Sequence, residues 1–207
     1  DLTITNGLSA AFTGAITVND LITTNNSYSV SMTGTGNTFS TNVDFVNSGL
    51  VTLGNGGDTF AFDGGLNFVG NAASNVGATI TSSGDEINFG TGGVTLAQSS
   101  TIDTTNAGGS ATGATITFGA GITDGVSSYN LGLDAGTEGA ISGISVGISN
   151  LTITNASYVA FTGGVNVDDL ITTANPYSVS MTGTSNSFAS NVDFQNTGLV
   201  TLGNGGD

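Results

Sequence analysis

Tyr28-Ser-Val-Ser-Met-Thr-Gly-Thr35 returns letter for letter as Tyr177-Ser-Val-Ser-Met-Thr-Gly-Thr184, and inside it Tyr28, Val30 and Met32 alternate with Ser29 and Ser31. The recurrence marks an internal repeat, and the alternation marks a strand with one buried face. Working outward, Asp1-Leu-Thr-Ile-Thr-Asn6 becomes Asn150-Leu-Thr-Ile-Thr-Asn155, and Gly49-Leu-Val-Thr-Leu-Gly-Asn-Gly-Gly-Asp58 recurs as Gly198 to Asp207. The offset is 149 residues throughout, without a gap, and 41 of the 58 paired positions are identical. Residues 1–149 therefore read as one complete repeat unit and residues 150–207 as the first part of the next copy. The second copy stops at the residue matching Asp58, where the first runs on into Thr59-Phe-Ala-Phe62, so a window from a longer tandem array is expected.

The same alternation runs through the unit: Leu2 and Ile4, Val43 and Phe45, Val51 and Leu53, Phe60 and Phe62, Leu66 and Phe68 each flank one more exposed residue. Gly, Asn, Asp or Ser separates nearly every pair, leaving no room for a helix between strands. An all-β fold follows, and the spacing favours a parallel β-solenoid (β-helix) of short strands with Gly/Asn-rich turns. Coils of about 20 residues, stacked about 4.8 Å apart, would place seven or eight coils in one unit. The alternative is a series of tandem antiparallel β-sandwich modules, for which Phe62-Asp-Gly-Gly-Leu66 supplies a hairpin signal.

Composition narrows the function. The 207 residues include no Lys, Arg, His, Cys or Trp, against 15 Asp plus Glu, for a formal charge of −15. No imidazole base, thiolate or zinc site of the usual ligand types can be built. Nothing can neutralise a phosphate, so nucleic acid is not an expected partner. No stretch approaches the roughly 20 apolar residues of a spanning helix, so membrane insertion is not expected either. With only 7% charged and 37% hydrophobic residues, the chain still has a core to bury.

Gly92-Gly-Val-Thr-Leu96, Ala114-Thr-Ile-Thr-Phe118 and Leu2-Thr-Ile-Thr-Asn6 resemble the degenerate Gly-, Thr-, Asn- and Val-rich strand repeats of filamentous-haemagglutinin-like and autotransporter-type bacterial exoproteins. That resemblance implies a right-handed parallel β-helix, secretion, and a role as the shaft of a surface adhesin or fibre.

The candidate sites are few. Leu53-Gly-Asn-Gly-Gly-Asp-Thr-Phe60 resembles the calcium-binding nonapeptide of RTX β-rolls, with Asp58 as the hard anionic ligand and Asp63 as the natural second one. Asp85-Glu86 and Asp168-Asp169 are adjacent acidic pairs, but neighbours on a strand point to opposite faces and form no convergent dyad. The Thr-x-Thr triplets at Thr3, Thr115 and Thr152 follow from strand propensity, and their irregular spacing argues against a flat ice-binding array. No catalytic residue and no organic cofactor are expected.

The expected function is accordingly a non-enzymatic stalk or filament segment of a very large secreted, surface-associated repeat protein of adhesion or cell contact, located outside the cell or on its surface. Other copies of the repeat, met end to end or laterally, are the expected partners. The alternative is a calcium-dependent extracellular assembly or surface-layer module, in which Ca²⁺ relieves the uncompensated negative charge.

Overall fold

The computed structural model describes residues 1–203, which form twenty-three strands and no helix. Every ladder between these strands is parallel, and most strands pair with the segment one coil earlier and the segment one coil later. The fold is a parallel β-solenoid of about ten coils with three strand segments per coil.

The first face runs through Ser9–Phe12, Ser29–Met32, the start of Val51–Phe62, the start of Ser74–Ser82, Val94–Leu96 and Ile122–Thr123. It continues through the starts of Val146–Asn155 and Val165–Thr172 to Ser187–Phe188. The second face holds Thr17–Val18, Asn37–Phe39, the later halves of the four long strands, Ser100–Asp103 and Asn130–Asp134. The third face begins with Leu2–Ile4 on Leu21–Thr23 and continues as an eight-stranded ladder from Val43–Phe45 to Val200–Leu202.

Two expectations are corrected. Phe62-Asp-Gly-Gly-Leu66 is a corner and not a hairpin: Gly65 N donates to Phe62 O at 2.9 Å, and Leu66 then pairs with Val43 and Ile87, not with the strand it has just left. This removes the antiparallel sandwich alternative. Nor are all the strands short: the first-face and second-face segments run together as one strand in Val51–Phe62, which has 12 residues.

The core is the set of alternating apolar residues. Tyr28, Val30, Met32, Val43, Phe45, Val51, Leu53, Phe60, Phe62, Leu66 and Phe68 are all buried. On the third face the in-register phenylalanines form a continuous stack, Phe45–Phe68 at 5.1 Å, Phe68–Phe89 at 5.5 Å and Phe89–Phe118 at 5.1 Å between ring centroids. Identical side chains align in this way because parallel pairing puts equivalent positions of successive coils directly above one another.

The two copies of the repeat join without a boundary. Val146–Asn155 is one strand, and the copy junction between residues 149 and 150 lies inside it. The copies do not, however, occupy the same faces. Leu2–Ile4 stacks on the third face, whereas its copy Leu151-Thr-Ile153 pairs with Asn130–Asp134 on the second. Likewise Val30 pairs with Val51 on the first face, while their copies Val179 and Val200 pair on the third. Twenty strand segments separate Leu2 from Leu151, which at three per coil is six and two-thirds coils and not a whole number.

Candidate functional site

The calcium candidates are not brought together. Asp58 starts the second-face part of its strand with the inward parity of Phe60 and Phe62, and its Oδ2 accepts from Asn55 N at 2.8 Å. Asp63 has the outward parity, and its Oδ1 accepts from Ser83 Oγ at 3.1 Å. Five residues of extended chain separate them by about 16 Å, on opposite sides of the sheet. Asp207, the copy of Asp58, lies outside the described residues. Among the described residues no three acidic side chains converge as a metal cage would require.

Several carboxylates instead close excursions of the backbone. Asp124 Oδ2 accepts from Tyr129 N at 3.0 Å and from Ser149 N at 3.2 Å, tying off the loop that carries the fully exposed Val126. Asp103 accepts from Thr105 N and Thr105 Oγ1, both at 2.6 Å, and from Ala107 N at 2.9 Å. Thr104 then clamps the base of this second excursion, donating to Ala114 O at 2.8 Å and accepting from Ala114 N at 2.9 Å.

Asp103 and Asp134 are register partners on adjacent coils of the second face, a like-charge neighbourhood that sequence reading missed. They lie far apart along the chain, and only the coil register could have revealed them. The Asp134 carboxyl is held above its ordinary value by burial, opposed by the Gly136 N–H and assisted by the charge of Asp103.

A groove of about 350 Å³ on the third face is lined by Asp20, Ile22, Thr23, Asn42, Asp44 and Val46. Some of its polar atoms are already engaged: Asn42 Nδ2 donates to Asp44 Oδ1 at 2.7 Å and the Thr41 hydroxyl to Asp20 Oδ1. No model of a known family matches this chain, and no curated protein or solved structure matches it. The groove brings two carboxylates, Asp20 and Asp44, to its lining.

The repeated chemistry lies at the corners. Asn26 Nδ2 donates to Thr5 O at 2.9 Å and Asn47 Nδ2 to Tyr28 O at 3.1 Å. Their copies Asn175 and Asn196 donate to Thr154 O at 2.8 Å and Tyr177 O at 2.9 Å. Gly49 and Gly198 must both be glycine, since a Cβ on either would lie 2.3 Å from the carbonyl oxygen of Tyr28 or Tyr177. These side chains carry the coil-to-coil hydrogen bonding through turns where the backbone ladder is interrupted.

Proposed function

We propose that this chain is a shaft segment, part of the stalk or filament of a very large secreted, surface-associated bacterial repeat protein that works in adhesion or cell contact, and that it performs no catalysis. The observation that carries the reading is the strand Val146–Asn155, which crosses the copy junction without interruption. Units joined inside a strand form one column and not beads on a linker, so adding copies adds length. Composition supports the same reading, because a chain without Lys, Arg, His or Cys has little with which to run an active site. The compositional resemblance of its strands to those of filamentous-haemagglutinin-like exoproteins supports the surface setting.

Electron microscopy of tandem arrays of one to four 149-residue units tests the proposal. Rods lengthening by about 32 Å per unit, from six and two-thirds coils at 4.8 Å, are expected. Compact globules, or beads at another interval, would overturn it.

A further inference from the structure

Because the unit spans six and two-thirds coils, its copy begins one face away from where it began itself. We infer that tandem copies of this unit present the same outward surface on successive faces of the shaft, one-third of a turn apart, so that a given surface returns to its starting face only after three units. Three units make twenty coils, about 96 Å of rise.

The pairing that carries this is complete in the chain. Seven copied segments have ladder pairings that fix their faces, Val51–Leu53 and its copy Val200–Leu202 among them, and every one is displaced in the same sense. Leu2–Ile4 moves from third to second face as Leu151-Thr-Ile153, Ser9–Phe12 from first to third as Tyr158–Phe161, and Thr17–Val18 from second to first as Asn166-Val167. Leu21–Thr23 becomes Leu170-Ile-Thr172 on the second face, Ser29–Met32 becomes Ser178–Met181 on the third, and Thr38-Phe39 becomes Ser187–Phe188 on the first. The displacement costs nothing locally, because each coil is held by the coil one turn before it, and that spacing is copied with the sequence. Thr5 and Asn26 are 21 residues apart, as are Thr154 and Asn175.

The consequence is a display rule. The grooved patch of Asp20, Ile22, Asn42 and Asp44 lies on the third face, and its copy Asp169, Ile171, Asn191 and Asp193 lies on the second, where Ile171 bridges Asp193. Within the shaft reading, on which this step rests, whatever contacts the patch meets it all around the column. Two shafts lying side by side through one face match only every third unit, so the second-copy partner favoured by the phasing is the end-to-end one and not the lateral one.

Paired spin labels test the phasing independently of the shaft reading, in a chain whose lack of cysteine leaves no background. Thr59, Thr79, Thr101, Gly132 and Thr152 are successive register partners on the second face, four coils in all, or about 19 Å. Asn67 lies on the third face, where Thr152 would belong if the copies were in phase, because Thr152 is the copy of Thr3. The T59C/T152C pair should therefore give a shorter distance than N67C/T152C, by on the order of 10 Å given faces of roughly six extended residues. A second pair of variants guards against a misfolded first: Asn67 and Ala160 are four coils apart on the third face, so N67C/A160C should be shorter than T59C/A160C. The reverse order in either set overturns the inference and leaves the rod test untouched.

Discussion

The Tyr28 hydroxyl donates to Ile4 O at 2.7 Å and accepts from Thr24 N at 2.8 Å; the Tyr177 hydroxyl donates to Ile153 O and accepts from Thr173 N, both at 2.9 Å. The first pair of bonds closes the corner between third and first faces, the second the corner between second and third. One sequence thus builds two different corners with the same atoms. The corner is specified by what lies one coil below it and not by its place around the column.

Removing either hydroxyl should therefore cost the same. Tyr28→Phe and Tyr177→Phe each leave a buried carbonyl and a backbone N–H without their partner, a loss of about 1–3 kcal/mol. A solenoid can open coil by coil, so hydrogen exchange is the measure, read at the amides of Thr24 and Thr173. Faster exchange at the mutated corner alone, by a similar factor in both variants, is expected. Loss confined to Tyr28 would mean that the two corners are not equivalent.

Gly143 interrupts the phenylalanine stack of the third face, between Phe118 and Phe161 in register. A Cβ there would lie 2.8 Å from Phe161 Cε1, so the Phe161 ring occupies the space the missing side chain leaves. Gly143→Ala should destabilise by about 1–3 kcal/mol through overpacking. In a Phe161→Leu background the same substitution should cost less, and the difference between the two backgrounds is the coupling energy. Additive effects in denaturant melts would show that the ring does not depend on the glycine.

Much of this architecture can be read from alternation. Val30 and Met32, Phe60 and Phe62, or Leu66 and Phe68 declare their inward face by period alone, and all six are buried. Which strand pairs with which is harder to read, because Phe62-Asp-Gly-Gly-Leu66 suits a hairpin as well as a corner and the choice is made by Val43 and Ile87 on neighbouring coils. The one-face displacement of the copies was hidden for a related reason. It depends on counting strand segments through Ser74–Ser82 and Val146–Asn155, where a bend inside one long strand counts as two faces but leaves no break in the sequence pattern. Asp58 and Asp63 were linked by a motif whose geometry needs a tight turn. An extended strand runs between them instead.

Trypsin supplies a test that folding does not influence. The chain holds no Lys or Arg, so it should remain intact with trypsin both folded and in denaturant. Thermolysin, which cuts beside apolar residues, should cleave it at a rate set by how often the coils open. Tryptic fragments from the denatured chain would contradict the sequence itself.

Acid should strengthen one part of the column. Asp134 is half-buried and faces Asp103 in register, in a chain with no cationic side chain to pair with either. Its carboxyl sits above the ordinary value of 3.8, through burial first and the Asp103 charge after the opposing Gly136 N–H. The folded state therefore holds this proton to a higher pH than the unfolded chain does. Between the ordinary value and the raised one, the folded state binds more protons, so the stability contributed by this group falls as pH rises through that window. Asp134→Asn removes the charge but keeps an oxygen able to accept from Gly136 N, now 3.0 Å from Asp134 Oδ1. The variant should be more stable than the parent at neutral pH, and the gap should close as pH falls below the ordinary aspartate range. Melting curves of both proteins from pH 3 to pH 8 decide it. A variant less stable than the parent at pH 7 would show that the Asp134 charge contributes more through its hydrogen bond than it loses to burial and to Asp103.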